Sequence, residues 1–331
     1  MRVCVTGGSG FVGSQVVAAC LDAGHEVVAT VRTVRDARKT APLDALASRG
    51  SLAIVAADLL LPGSFDEALR GCQALLHVAS VASPTTSDPQ EVIRPALDGL
   101  RNVLAAAARA GTVRRVVLTS SVVAMGTYRQ ASVRPLNESD WNDEACPERT
   151  PYDFAKTQQE RLAIEQTQAY GSWELVCLHP TLVLGPVLCR AHTQASPRLI
   201  ADLLRRTYPA SPRWYFGLVD VRDVAAAHVA ALQPAARGRY LLCGGGRWLT
   251  EIAAQLKAEL PSRRIATATL PTPLLYAAAL VHPRLSLRGV RDSVGLRPQY
   301  DSTRAQRELG LQFRPLDQTV RDTAQSLLPY L

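Results

Sequence analysis

"VTGGSGFVGS", residues 5–14, joins a β-branched run to a stretch with helical apolar spacing and carries glycines at 7, 10 and 13. Gly7, Gly10 and Gly13 would let the backbone turn tightly, approach a pyrophosphate and pack the helix against a sheet, with the helix N-terminus facing the phosphates. A glycine pattern alone is weak evidence. The phosphate-binding mechanism requires a strand before it and a helix after it, and both flanks here have that character. A dinucleotide-binding βαβ unit is therefore expected at the N-terminus.

Outward from this loop the first half of the chain alternates. Short apolar runs, "RVCVT" (2–6), "EVVATV" (26–31), "LAIVAAD" (52–58), "ALLHVA" (74–79) and "RRVVLTS" (114–120), are separated by segments with helical spacing, and a sixth strand is expected near 174–184. Continuous rather than alternating hydrophobicity means that both faces of each strand are covered, as in a parallel sheet wrapped by helices. The expected fold is α/β: a doubly wound parallel sheet, or Rossmann fold, over residues 1–175, with a smaller mixed C-terminal substrate-binding lobe over 176–331. Some segments of that lobe, such as 222–232, are expected to return to the main sheet. Further helices are expected near 197–207, 249–259 and 315–328. Gly24 marks the end of the first helix. Thr150 before Pro151 reads as an N-cap and Asp153 as its capping-box partner, opening a helix over about 151–169.

With 331 residues, 47% hydrophobic and 20% charged, the chain has the composition of a soluble globular protein. The net charge of +8 comes from 37 basic residues spread along the chain, so a nucleic-acid partner is not expected and a general preference for anionic ligands is. The apolar stretch "LLYAAALV" (274–281) is far shorter than the ~20 residues of a membrane helix. No signal-peptide core precedes the first strand, which points to the cytoplasm. Seven cysteines without C-x-x-C spacing read as buried thiols, and six histidines without paired spacing suggest no metal. His77 and His179 read as structural, Asp223 as a helix cap and Arg198 as half of a surface ion pair.

In folds of this kind the end of the second strand reads the adenosine ribose. A carboxylate there bonds the two hydroxyls of NAD, whereas a cation accommodates the 2′-phosphate of NADP. "ATVRTVRDARK" (29–39) puts Arg32 in that place, with Lys39 within reach and no carboxylate before Asp36, so NADPH/NADP+ is the expected cofactor. Arg35 and Arg38 read as solvated charges. Further on, "TPYDFAK" (150–156) sets Tyr152 and Lys156 one turn apart on one helical face. Taken alone, that pair fits an ordinary surface helix as well as a catalytic one.

Together, Gly7-x-x-Gly10-x-x-Gly13, the serines at 120–121 and Tyr152-x-x-x-Lys156 resemble the extended short-chain dehydrogenase/reductase superfamily. "GSFDEALRGC" (63–72), "HVAS" (77–80), "VRRVVLTSS" (113–121) and "HPTLVLGP" (179–186) are similar to its dihydroflavonol reductase and cinnamoyl-CoA reductase branch. The resemblance implies a catalytic triad of Ser121, Tyr152 and Lys156, with Ser121 preferred to Ser120 as the last serine before the strand leaves the sheet. Cofactor contacts are implied for Ser9, Phe11 and Val12 on the glycine loop, Asp58 and Leu59 at the adenine, and Val78, Ala79, Ser80 and Thr119 along the dinucleotide. Pro180, Thr181 and Val183 would flank the nicotinamide, and Arg32 and Lys39 match the 2′-phosphate ligands. The implied chemistry is carbonyl reduction. Hydride transfer builds negative charge on the carbonyl oxygen, Tyr152 would protonate it, and Lys156 would lower a phenol pKa that is ordinarily about 10. Ser121 would hydrogen-bond and orient the same oxygen.

Flavonoid-reducing relatives use an asparagine and a glutamine at the substrate where this chain has Gly126 and Gly217, so a flavonoid is not expected. The two glycines predict a roomier, more apolar pocket, with Met125, Tyr128, Trp214, Tyr215 and Phe216 as lining. The Ala and Arg richness resembles that of high-GC bacterial chains, whose reductases of this type often serve secondary metabolism. The leading expectation is an NADPH-dependent reductase of a small, largely apolar ketone or aldehyde, monomeric or homodimeric. Two alternatives stay open: a nucleotide-sugar epimerase or dehydratase, which shares the fold and triad, and a non-catalytic NADP-sensing regulator.

Overall fold

Strand β1 (Arg2–Thr6) shows why the apolar runs are continuous. Val3 and Val5 face one helical layer, Cys4 faces the other, and all three are fully buried. The computed structural model describes residues 1–80, 88–281 and 286–331, apart from the side chains of Arg38, Lys39 and Val281. The other strands are β2 (Glu26–Val31), β3 (Leu52–Ala56), β4 (Ala74–His77), β5 (Arg115–Thr119), β6 (Glu174–Pro180), β7 (Leu182–Leu184), β8 (Tyr215–Asp220), β9 (Gly238–Leu242) and β10 (Gly245–Trp248). Among the described residues they form a seven-stranded parallel sheet in the order β3-β2-β1-β4-β5-β6-β9 and a three-stranded sheet in the order β10-β8-β7. In the small sheet β7 runs parallel to β8 and β10 antiparallel to it.

Helices α1 (Phe11–Asp22), α2 (Ala37–Asp44), α3 (Asp66–Leu69), α4 (Gln90–Ala110), α5 (Tyr128–Val133), α6 (Pro151–Tyr170), α7 (Arg198–Leu204) and α8 (Val221–Ala230) precede a helical C-terminal stretch that begins with α9 (Leu249–Glu259). Two cores result. Val16, Val17 and Leu21 of α1 and Val224 and Ala227 of α8 cover Val3 and Val5. On the other side Leu100, Val103 and Leu104 of α4 and Leu162 of α6 cover Cys4, Leu75 and Val116. The buried positions of α4 recur at three and four residues, as an amphipathic helix requires, and each fully buried Leu or Val contributes on the order of 1.5–3 kcal/mol. The helix stops at Gly111, whose φ of +67° suits glycine. Among the described residues no helix is long and apolar enough to cross a membrane.

Several expectations change in detail. The strand expected over 174–184 divides: Pro180 ends β6, and the Thr181 N–H bonds to the carbonyl of Leu242, the last residue of β9. With no partner left in the large sheet, the chain crosses to the small one as β7. The capping box at α6 is absent, because the Thr150 hydroxyl engages the backbone of Cys146 instead of the helix. Asp220, not Asp223, caps α8 by accepting the Arg222 N–H at 2.9 Å. Asp223 is buried in the first turn and holds Arg314 through its backbone N–H at 2.8 Å and its guanidinium. Helix α5 was not expected; its sequence signal was Thr127-x-x-Gln130, a complete capping box. Cys4, Cys20, Cys72 and Cys177 are buried as expected, whereas Cys146, Cys189 and Cys243 are partly exposed.

Candidate active site

Thr6, His77, Thr119 and Pro180 end β1, β4, β5 and β6, so the site residues gather at the carboxyl edge of the sheet, where such folds bind ligands. The glycine loop leaves no space for side chains. A Cβ at Gly13 would lie 2.1 Å from the Gly7 carbonyl oxygen, and one at Gly7 would lie 2.9 Å from the Ala79 Cα. Gly10 begins α1 without a side-chain cap, and no acid occupies the first turn, so that helix N-terminus suits a phosphate. The Phe11 ring is buried edge-on to His192 at 6.0 Å, while the Ser9 carbonyl lies 3.0 Å from His192 Nε2. Phe11 and the half-buried Val12 therefore offer a ligand their backbone. Gly13→Ala is expected to cost about 2–4 kcal/mol, because the collision is with backbone that has no rotamer to yield; thermal melting measures it.

Sequence reasoning missed the hub of this edge. The Thr6 hydroxyl accepts the N–H groups of Val78 and Ala79 at 3.1 and 3.0 Å and lies 3.0 Å from His77 Nδ1. Burial, with the nearby Lys156, pushes His77 down to about 3, so the ring is neutral, and because two N–H groups already donate to the Thr6 oxygen, that hydroxyl donates to Nδ1. Val78 and Ala79 are thereby drawn against the glycine loop, with Ser80 exposed beyond them. A threonine closing the first strand was the available signal.

Arg32 is exposed one residue past β2. Lys39, expected beside it, falls outside the described side chains. Asp58, beyond β3, accepts the Leu60 N–H at 2.9 Å on its carboxylate, and Leu59 packs over Gly99 of α4.

The two serines separate. Ser120 is buried and donates to Glu160 at 2.9 Å, whereas the Ser121 hydroxyl accepts the Val123 N–H at 3.4 Å and lies near the Tyr152 phenol. Lys156 is 7% exposed and donates from Nζ to the Thr119 carbonyl at 3.2 Å. The Thr119 hydroxyl lies 2.8 Å from Nε2 of the buried His228. Burial lowers Lys156 to about 8, opposed by Glu160. Tyr152 does not behave as expected. Loss of hydration raises its pKa, opposed by the neighbouring Ser121 hydroxyl and reinforced by Asp153, and Lys156, directed at Thr119, does not lower it. Because Tyr152 keeps 43% of its surface exposed, that desolvation acts at less than full weight.

Pro180 and Val183 are buried, and Thr181 joins the two sheets, with its hydroxyl bonding the Leu242 carbonyl at 3.2 Å. The roomier pocket expected from two glycines is not found. The space at Gly217 is taken by the Tyr300 ring, 2.4 Å from where a Cβ would sit. At Gly126 the space is taken by Gln130 and Leu136, at 2.8 and 3.0 Å. Met125 is buried core, not lining, Tyr215 is buried, and Trp214 and Phe216 pack on the larger core. Tyr128, half-buried, opens α5. A cavity of about 380 Å³ lies beside Gly217, lined by Tyr215, Cys243, Arg297, Gln299 and Tyr300 among others.

Three comparisons agree with this geometry. The model of the NAD dependent epimerase/dehydratase family matches residues 3–243. Tetraketide alpha-pyrone reductase 1 of Arabidopsis thaliana is 32% identical over 333 residues, covering 99% of this chain and 95% of that protein. Cinnamoyl-CoA reductase 1 of Petunia hybrida is 33% identical over 334 residues, covering 98% and 91%. Among solved structures, yeast methylglyoxal/isovaleraldehyde reductase Gre2 complexed with NADPH matches at a TM-score of 0.80 over 100% of this chain and 99% of that one, a likeness of fold at 24% identity. By its sheet, its glycine loop and these relatives, the chain belongs to the NAD dependent epimerase/dehydratase family, the extended short-chain dehydrogenases/reductases.

Proposed function

We propose that the protein reduces a ketone or aldehyde with NADPH, using Tyr152, Ser121 and Lys156. The observation that carries this reading is the convergence of Ser121, just past β5, with Tyr152 and Lys156 of α6 at the carboxyl edge of the sheet, where the buried Lys156 ammonium donates to the Thr119 carbonyl at 3.2 Å. The reductase names of the curated relatives support it. The glycine loop and the uncapped α1 N-terminus would hold the pyrophosphate, Arg32 and Lys39 the 2′-phosphate, and Pro180, Thr181 and Val183 the nicotinamide end. When bound, the cofactor supplies a hydride to the carbonyl carbon.

The chain's own groups manage the oxygen. The hydroxyls of Ser121 and Tyr152 would both donate to it and fix its direction. Tyr152 releases its proton as negative charge develops. A raised phenol pKa keeps the donor loaded at neutral pH, and the Lys156 ammonium would hold the nicotinamide ribose. The Thr119 carbonyl anchors that ammonium from β5.

The cavity next to Gly217 would take the far end of the substrate. Its phenols, amide and guanidinium favour a substrate with a polar end rather than a wholly apolar one. Tyr300→Ala should restore the space over Gly217, and KM for bulky aryl ketones is expected to fall about fivefold relative to small ones. The deciding experiment mixes purified protein with NADPH and a panel of aldehydes and ketones and follows the nicotinamide absorbance. Consumption supports the reductase. Retained cofactor without net consumption favours an epimerase, and binding with no turnover of any compound favours a sensor.

A further inference from the structure

Glu160 stands one helical turn beyond Lys156, as Lys156 stands one turn beyond Tyr152, and it is fully buried. The chemistry above does not use it, yet three strands hold its carboxylate. Ser120, just past β5, donates to Oε2 at 2.9 Å, and His179 Nε2 in β6 lies 2.6 Å from the same oxygen. Arg239 in β9 donates from Nε to Oε1 at 2.6 Å. Arg239 also donates to the carbonyls of Glu138 and Asp140, at 2.8 and 2.5 Å, and stacks 4.0 Å over the Trp141 ring. His179 Nδ1 is buried without a partner. The cluster is one carboxylate against one guanidinium. A buried pair of this kind is a poor device for stability alone, since an apolar pair of equal volume often serves as well.

We infer that Glu160 is a positioning residue for the triad: it ties α6 to the strand ends that present Ser121 and Thr119, and its negative charge keeps the buried Lys156 ammonium protonated. The inference rests on the reductase reading of Tyr152 and Lys156. Ser120, bound to Glu160, is the immediate neighbour of Ser121, and Ser121 meets Tyr152 from the same helix as Glu160. Loosening the tether would displace both ends of the Ser121–Tyr152 contact.

The groups around Lys156 set its charge. Burial lowers its pKa and Glu160 raises it against that burial. His77, from β4, is neutral, and β5 presents the Thr119 carbonyl, whose side chain meets the neutral His228 of α8. On α6 itself the titratable neighbours are Tyr152, protonated at neutral pH, Asp153, raised to about 6 by burial, and Glu160, held ionised by His179 and Arg239 against its burial. Helix α4, packed along α6, meets it through Gln159 and the Ala96 carbonyl at 2.8 Å, with Arg94 and Asp98 exposed.

The chain contains three lysines, Lys39, Lys156 and Lys257, so protein labelled with carbon-13 at lysine Cε gives three resonances, and Lys156→Arg assigns the buried one. In Glu160→Gln the Lys156 resonance is expected to titrate about one pH unit lower, a tenfold change in its protonation equilibrium, and the alkaline limb of kcat should move down with it. Ser120→Ala keeps the carboxylate but cuts the tether; kcat is expected to fall about fivefold at every pH with the Lys156 titration unmoved. Removing both partners of a buried pair is better tolerated than removing one, so Glu160→Gln combined with Arg239→Met supplies a folded counterpart, expected to shift Lys156 in the same direction. A Lys156 titration that stays in place in the single variant, or in the double variant if the single one does not fold, overturns the charge role. Wild-type kcat in Ser120→Ala overturns the tether. Should the wild type turn over no carbonyl compound, the reductase reading fails while the resonance of Lys156 still reads the effect of Glu160.

Discussion

Tyr152→Phe is expected to lower kcat about a thousandfold while NADPH binding stays within a few-fold of wild type, because a positioned general acid contributes 10²–10⁴ in rate and the ring itself remains. Tyr152 sits in the first turn of α6 with its phenol near Ser121, and its raised pKa means that the lost group is a loaded proton donor near neutral pH. The phenylalanine ring keeps the packing and removes only the hydroxyl. Single-turnover hydride transfer and fluorescence titration with NADPH separate the two effects. A variant that retains a tenth of wild-type kcat would show that the proton comes from elsewhere, with the Ser121 hydroxyl as the nearest candidate.

The second large effect is on cofactor choice. Arg32→Asp is expected to worsen kcat/KM for NADPH about a hundredfold and to improve it for NADH, since about 3 kcal/mol separates a guanidinium paired with a phosphate from a carboxylate facing one. The side chain is exposed past the end of β2, so the change should leave the core and the melting temperature nearly untouched. Coenzyme kinetics at two ionic strengths test it: a Coulombic preference for the 2′-phosphate weakens with salt. Equal loss with both coenzymes would place the role of Arg32 in loop structure instead.

Much of the architecture was legible in the chain. Continuous apolar runs such as "RVCVT" require two covered faces, and Val3, Val5 and Cys4 divide between two cores accordingly. The glycine loop was legible for a related reason, since a collision of 2.1 Å at Gly13 makes any side chain there costly. Both are local demands of backbone and burial. Element ends were harder to read: Thr150 looked like a cap, but its hydroxyl found the backbone of Cys146, a competition that spacing does not reveal.

The site shows the same division. Tyr152 and Lys156 on one helical face follow from a period of 3.6 residues, and nothing beyond the helix is needed to place them together. Where their functional groups point is a matter of long-range contacts. Lys156 turns to Thr119 from β5, so the expected lowering of the phenol pKa gives way to a raised one. The space beside Gly217 belongs to Tyr300, far along the chain, and the carboxylate of Glu160 is shared among three strands. Periodicity and backbone sterics act over a few residues and are written in neighbouring letters; space-filling and hydrogen-bond partnership arise between segments that only folding brings into contact.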